Sequence, residues 1–292
     1  MPRLWKNLRM NNPLVYTIVL NYNRRDDTLE CLDSLFRMDY PNYKVLVVDN
    51  ASSDGTADAV REAYPDAEVL ENEKNLMYAG GNNEGIRLAL TRGAEWILLL
   101  NNDTVVDSRL LQEMLKASYM RPDAGVIGPM IYYFSPKGRA AEGEVIWYAG
   151  GIVKLWMGLI AHRGIREEDT GRYGRIEDTD YVTGCAMLIS RACLEKIGLL
   201  DISYGMYTED VDFSLRARRA GFGLVFAPGG RVWHKISMST GGEFSFLKTR
   251  LKIKSNLRLF ARFSKPWHWL TMPVFVVSRG IRFVADRYMI RH

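Results

Sequence analysis

The 292-residue chain is 47% hydrophobic, 25% charged and 11% aromatic, with a formal net charge of +5. That composition excludes a disordered or fibrous chain and supplies a substantial core. The longest apolar runs, such as Trp96–Leu100 and Pro273–Val277, fall far short of the ~20 residues that a spanning helix needs.

The chain order predicts alternating strands and helices. Val15–Leu20 is a β-branched apolar run, followed by Asn21-Tyr22-Asn23 and a helical pattern over Asp26–Met38 with Leu29, Leu32, Leu35 and Phe36 on one face. Tyr43–Val48 is a second strand that ends in a turn cluster, Asp49 to Gly55, before a helix over Thr56–Ala63. Ala67–Leu70, Ala79–Thr91, Trp96–Leu100 and Ser108–Tyr119 continue as strand, helix, strand and helix. Buried runs separated by helices predict an α/β fold, a mostly parallel central sheet with helices on both faces. Ligands of such sheets bind at the carboxyl ends of the strands, where the clusters Asn21–Asn23, Asp49–Asp54 and Asn101–Asp103 fall.

Residues 121–182 break the alternation. Ala124–Phe134 reads as a strand, Ile146–Ile160 as a hairpin, and Arg163–Asp178 as a charged, mobile loop. Tyr181–Ile189 reads as a strand and Arg191–Ile197 as a short helix. The loop Asp201–Thr208 then delivers Glu209-Asp210-Val211-Asp212 onto a helix running to Ala220.

Charge is unevenly placed. Residues 248–292 hold eleven Lys/Arg against one acid, Asp286, leaving 28 basic and 33 acidic residues in the remainder. Trp267, Trp269, Phe275, Phe283 and Tyr288 interleave with those cations. The pattern suits an anionic membrane surface. A helix pair packed on the domain with its cations reaching outward stays open as an alternative; a nucleic-acid partner is the least favoured reading. Three cysteines without C-x-x-C spacing point to neither a disulfide framework nor zinc. No secretory leader is read in Met1–Asn12, so a cytoplasmic location is expected, peripheral at the inner face of the cell membrane.

Among the polar residues, Asp103 emerges at the mouth of the sheet, where a carboxylate with oxygen-rich neighbours suits Mg²⁺ or Mn²⁺ bridging a diphosphate. Glu209 and Asp210 suit either a helix's first-turn acids or a general base. His234 suits a core histidine or a neutral metal ligand. Each has a bland alternative alone; their order does not.

Six motifs occur in sequence: Leu20-Asn-Tyr-Asn23, Val48-Asp-Asn-Ala-Ser-Ser-Asp-Gly-Thr56, Asn75-x-x-Tyr-Ala-Gly-Gly-Asn-Asn-x-Gly85, Leu99-Leu-Asn-Asn-Asp-Thr104, Thr183-Gly-Cys-Ala-Met187 and Glu209-Asp-Val-Asp212. Over about residues 14–260 the chain resembles the family-2 glycosyltransferases, in particular their rhamnosyltransferase-like bacterial branch. The resemblance implies a GT-A fold, a divalent metal (Mn²⁺ or Mg²⁺), a nucleoside-diphosphate sugar donor (dTDP-, UDP- or GDP-linked) and inversion at the anomeric carbon; a glycan or polyprenyl-linked acceptor is expected, the lipid-linked form from the charge of the basic aromatic tail. It implies a nucleotide-binding part over residues 14–120 and an acceptor and catalytic part over 121–247, with 248–292 as a basic helical extension. Carried over to this chain, Asn21, Asn23 and Asp49 would line the nucleoside site, with Asn82, Asn83 and Asn102 near it. Thr183 and Gly184 would lie by a sugar, Asp103 and His234 would hold the metal, and Asp210 would be the base with Glu209 beside it. The metal motif here is Asn101-Asn102-Asp103, with one carboxylate, which implies weaker metal binding. No Q-x-x-R-W follows the base, and the single glutamine is Gln112, so transfer of one sugar per cycle is expected over processive synthesis. A sugar nucleotidyltransferase is disfavoured because the first strand ends without a glycine-rich loop; a non-catalytic sugar-nucleotide-binding protein is disfavoured by the intact Glu209-Asp210.

Overall fold

The computed structural model describes residues 12–134, 144–235 and 246–275. The end of the basic tail, with Phe283 and Tyr288, lies outside the described residues.

The chain opens with β1 (Val15–Asn21), α1 (Arg25–Leu35), β2 (Tyr43–Asp49), α2 (Thr56–Ala63), β3 (Glu68–Glu71), α3 (Met77–Thr91) and β4 (Trp96–Asn101). β1 lies between β2 and β4, parallel to both, and β3 extends the parallel set beside β2. Successive side chains of these strands serve opposite faces. Val15, Val19, Val45, Val47, Leu98 and Leu100 pack with Leu32 and Leu35 of α1 on one side. Tyr16, Ile18, Leu46, Val48, Ile97 and Leu99 pack with Ile86 and Ala89 of α3 on the other. Each wholly buried aliphatic side chain contributes roughly 1.5–3 kcal/mol, and a one-residue slip of register would exchange the side chains of the two packed faces and disrupt both. α3 lies unusually close to the sheet at Gly85, where a Cβ would stand 2.9 Å from both Ile18 Cγ2 and Val48 Cγ2.

The second half adds β5 (Thr104–Val106), α4 (Leu110–Met120), β6 (Ala124–Tyr133), β7 (Ile146–Tyr148), β8 (Gly151–Lys154), β9 (Leu159–His162), β10 (Glu177–Asp178), β11 (Ala186–Ser190), α5 (Arg191–Ile197), α6 (Glu209–Arg219) and β12 (Gly223–His234). The main sheet runs β10-β12-β6-β11-β4-β1-β2-β3, with β5 on β12 and β7 on β6. β11 opposes both β4 and β6, whereas β12 is parallel to β6. β1, β2, β3, β4, β6 and β12 therefore share one direction, and their carboxyl ends form one edge.

Several expectations need correction. The Ile146–Ile160 hairpin is two units: β7 joins the main sheet through β6, while β8 and β9 pair separately as far as His162. The Arg163–Asp178 segment is anchored. Tyr173 is buried, the Tyr132 hydroxyl donates to Asp169 at 2.6 Å, Arg163 Nε donates to the Ala149 carbonyl at 2.7 Å, and the segment ends in β10. The Tyr181–Ile189 strand begins only at Ala186, because Thr183–Cys185 leave the ladder to meet α3 and α6. β12, the longest strand, was not expected: Pro228-Gly229-Gly230 interrupts its pattern, and the structure absorbs them as a bulge between Ala227 and Arg231.

After the sheet, α7 (Phe246–Phe263) docks on the domain. Leu259 and Phe263 bury against Tyr181, Tyr204 and Val211. Residues 268–275 are again helical, with Met272 buried and the Thr271 hydroxyl donating to the Trp156 carbonyl at 2.7 Å. No helix among the described residues is long and apolar enough to cross a membrane.

Candidate active site

The strand order reverses at β1, where the chain leaves in one direction through β2 and β3 and returns on the other side as β4; a crevice opens at such a point. Asn21, wholly buried at the end of β1, occupies it. Its Nδ2 donates to Asp49 Oδ2 and to Ser52 Oγ, both at 3.0 Å. Its Oδ1 accepts from the Thr28 hydroxyl at 2.9 Å and from Asn102 Nδ2 at 3.0 Å. Asp49 Oδ1 also accepts the Ser52 N–H at 2.7 Å. The loops after β1, β2 and β4 are thereby joined through one amide. Asn23 is exposed with φ 53°, and its Oδ1 accepts the Ser53 N–H at 2.8 Å.

On α3, Asn82 and Asn83 are buried but differ in use. Asn83 makes two bonds to the Leu200 backbone, donating at 2.9 Å and accepting at 3.1 Å. Asn82 Nδ2 donates to the Tyr78 carbonyl, while its Oδ1 is buried with no hydrogen-bond partner among the described residues.

Asp103 follows β4, and His234 ends β12, opposite Thr104 of β5. His234 Nε2 lies 3.1 Å from Asp103 Oδ1, and both side chains are largely buried. His234 Nδ1 is buried with no hydrogen-bond partner among the described residues. Two cis ligands at about 2.1 Å from one ion would stand about 3 Å apart, so this pair fits a divalent cation. No group of three or more His, Cys, Asp or Glu residues suited to a metal occurs among the described residues, so the remaining ligands would be phosphate oxygens and water. Trp147 sets its ring edge-on to both His234 and His162, at 4.6 and 4.3 Å between centroids. Burial lowers the His162 pKa to about 4, which keeps that imidazole neutral.

The acid pair heads α6. Glu209 is 6% exposed, and burial, with Asp210 beside it, pushes its carboxyl up to about 8. Its Oε2 has no hydrogen-bond partner among the described residues. Burial also raises Asp210, against two N–H groups that favour its anion: Gly184 to Oδ2 and Val211 to Oδ1, each at 2.8 Å. At neutral pH the pair therefore favours a neutral Glu209 beside an anionic Asp210. Gly184 is fixed in turn by Tyr78, whose hydroxyl donates to its carbonyl at 2.6 Å. Thr183 is buried, and its hydroxyl accepts the Cys185 N–H at 3.4 Å. Burial holds the Cys185 thiol well above its ordinary range. The Cys185 carbonyl accepts the Asn101 N–H at 2.9 Å, so the Gly184 N–H that holds Asp210 lies beside the end of β4, from which Asp103 follows.

The structure thus brings Asn21, Asp49 and Asn102 into one network, pairs Asp103 with His234, and bonds Gly184 to Asp210, with Thr183 and Glu209 their chain neighbours. Asn83 is spent on the Leu200 backbone instead. Sequence reasoning passed over Tyr78, although it stands inside a quoted motif, and Trp147, for which spacing gave no signal.

A family model described as glycosyltransferase like family 2 matches residues 12–252. The N-acetylglucosaminyl-diphospho-decaprenol L-rhamnosyltransferase of Mycobacterium tuberculosis is 29% identical over 217 residues, covering 68% of each chain. A low-salt glycan biosynthesis hexosyltransferase of Haloferax volcanii is 28% identical over 207 residues, 69% of this chain and 61% of that one. Among solved structures, GalNAc-T7 with UDP, GalNAc and Mn²⁺ superposes with a TM-score of 0.67 at 14% identity, over 88% of this chain. The chain spans about half, 49%, of that protein. A mannosyltransferase from Pyrobaculum calidifontis, solved with GDP-Man and Mn²⁺, gives 0.58 at 17% identity, covering 96% of this chain and 81% of that one. These two likenesses establish a GT-A-like fold.

Proposed function

Because the chain belongs to the family-2 glycosyltransferases, we propose that it moves a single sugar, with inversion, from a nucleoside-diphosphate sugar to a hydroxyl of a lipid-linked glycan acceptor. The carrying observation is the acid pair: Asp210, beside Glu209, is held by the Val211 N–H and by that of Gly184, whose neighbour Cys185 bonds Asn101 at the carboxyl end of β4, the edge that also carries the Asn21–Asp49 network and Asp103. The rhamnosyltransferase relative, which its name places on a diphospho-decaprenol acceptor, supports a polyprenyl diphosphate as the acceptor class and a deoxyhexose as the sugar.

In this reading the Asn21–Asp49–Asn102 network holds the nucleoside. Asp103 and His234 would hold a divalent cation, which when bound would stabilise charge on the departing diphosphate. Asp210, anionic beside neutral Glu209, accepts the acceptor hydroxyl's proton as that oxygen attacks the anomeric carbon from the side opposite the leaving group. The Gly184 N–H keeps the carboxylate aimed during transfer.

The outer surface of the C-terminal helices supports contact with an anionic membrane. Ile253, Leu257, Trp267, Trp269, Leu270 and Val274 are exposed there, Leu270 at 79%. Lys252, Lys254 and Lys265 stand exposed among them. Interfacial Trp and cations are the groups that a headgroup layer accepts.

The test is a transfer assay with dTDP-, UDP- and GDP-sugars, polyprenyl-diphosphate glycans, and Mn²⁺, Mg²⁺ or a chelator. Asp210→Asn is expected to lower kcat by at least about 10³-fold, within the range that general-base loss produces, while nucleotide affinity stays within about twofold. Wild-type turnover by that variant would overturn the assignment of the base.

A further inference from the structure

The base stands on a strained hinge. Tyr207 and Thr208, immediately before Glu209, have φ of 74° and 65°, and Thr208 is β-branched. Left-handed backbone is costly for such a residue and persists only where the surroundings over-determine it. The Thr208 side chain does not supply that constraint, since its Oγ1 is buried with no hydrogen-bond partner among the described residues, and the Thr208 carbonyl accepts the Asp212 N–H at 2.9 Å, a bond that any helix start makes.

The constraint comes from α7. Ser255, buried on its inner face, donates to the carbonyls of Tyr204 at 3.1 Å and Met206 at 2.9 Å, the latter directly preceding the hinge. Arg258 donates to the Ser203 carbonyl. Arg262 Nη1 reaches Asp201 Oδ2 at 2.9 Å and Asp212 Oδ1 at 2.8 Å, one contact before the hinge and one beyond it. Asp212 is wholly buried and also accepts from Tyr204 Oη at 3.0 Å and Arg216 Nε at 2.7 Å. Three side chains from one helix thus tie down both ends of the 201–212 segment, and Asp210 stands two residues from Asp212.

We propose that Ser255 and Arg262 are positioning residues for the base: α7 clamps the segment 201–212 and holds the strained hinge that aims Asp210 at the acceptor hydroxyl. Neither side chain is hydrogen-bonded to Asp210, whose oxygens accept from Gly184 and Val211. This rests on the glycosyltransferase reading for the meaning of Asp210, but the clamp is a physical claim of its own. α7 thereby has two faces with separate tasks, the inner one fixing the base and the outer one meeting solvent or membrane.

The test uses the full chain with Ser255→Ala, Arg262→Met and the double variant, with Arg262→Lys as the conservative form. Hydrogen–deuterium exchange of peptides covering residues 201–212 is measured beside steady-state transfer. The clamp predicts at least about tenfold faster exchange there in the double variant. It also predicts a fall in kcat of about tenfold or more, because small misplacements of a reacting group cost heavily. The donor KM should stay within about twofold. Arg262→Lys should recover part of the kcat. Unchanged exchange over 201–212 would overturn the clamp. Faster exchange with wild-type kcat in the folded variants would overturn the positioning role, leaving α7 a stabilising helix only. If the double variant fails to fold, Ser255→Ala alone is read by the same criteria. An inactive wild-type chain would instead overturn the transferase reading, while the exchange result would still decide the clamp.

Discussion

Gly184 is the point where packing and chemistry meet most tightly. A Cβ added there would stand 2.5 Å from Tyr78 Oη and 3.0 Å from Tyr78 Cζ. Tyr78 cannot swing clear at low cost, because its hydroxyl is bonded to the Gly184 carbonyl at 2.6 Å. Overpacking of this kind costs about 1–3 kcal/mol. The displaced backbone also carries the N–H that holds Asp210. A shift of a few tenths of an ångström should lower kcat by about tenfold, given that about 1 Å can cost 10²-fold. Tyr78→Phe removes the nearest atom and by itself should cost about 1 kcal/mol for the lost hydrogen bond. In a double-mutant cycle the two changes should couple. The separate losses would sum to about 3 kcal/mol, whereas the combined variant should lose nearer 1–2 kcal/mol, because phenylalanine relieves part of the clash. Urea denaturation gives the stability terms, and single-turnover transfer gives the rate. Strict additivity, or wild-type kcat in Gly184→Ala, would refute the packing argument.

Two further outcomes follow from charge and exposure. Burial raises the folded carboxyl of Glu209 to about 8, so the native state binds the extra proton between the ordinary carboxyl range and that value. Stability from this group is therefore full at low pH and declines as pH rises across that interval. Glu209→Gln should flatten that part of the curve, read from urea midpoints between about pH 5 and pH 8, and an unaltered slope would count against it. On the outer helical surface, Trp269→Ser with Leu270→Ser should reduce binding to phosphatidylglycerol vesicles by at least about tenfold, since each side chain moved out of water contributes about 1 kcal/mol or more. Equal flotation of the variant and the parent chain would remove the membrane role.

The parallel half of the fold was legible because β1, β2 and β4 are dominated by apolar, buried residues and the helices between them alternate with the strands. The second half was harder for a physical reason. β11 was visible as an apolar run, but it is an antiparallel strand inserted between β4 and β6, and because those partners lie far apart in the chain nothing local announces that pairing. β12 is interrupted by Pro228-Gly229-Gly230, which reads as a loop, yet a bulge lets the strand resume on the same partner. Candidate site residues were visible where polar groups end an apolar run, as at Asn21, Asp49 and Asp103. The use made of each amide was not visible: Asn82 and Asn83 are adjacent in sequence, yet one serves the Leu200 backbone and the other leaves an oxygen unpartnered among the described residues. Helix rotation decides that difference, and a motif cannot report it. The basic C-terminal stretch showed its amphipathic character in sequence, but its docking through Ser255 and Arg262 depends on tertiary contacts with residues about 50 positions earlier.

The charge inventory of the site explains why the amides matter. The segment Asn101-Asn102-Asp103 offers one carboxylate to a cation, and the adjacent His234 adds a nitrogen donor without negative charge when neutral. Affinity for a hard divalent ion grows with ligand charge, so this pair alone should hold one weakly. On the proposed reading a donor diphosphate would supply the missing charge, and the two ligands should then bind with positive, reciprocal coupling. Asn102 contributes differently: its Nδ2 is committed to Asn21 Oδ1 and the Thr28 hydroxyl, both at 3.0 Å. A second carboxylate at that position would face the Asn21 oxygen with no proton to give, and would break the network that joins the three loops. The single-carboxylate motif is thus consistent with a site in which an amide network fixes the loop geometry and the donor completes the cation's coordination.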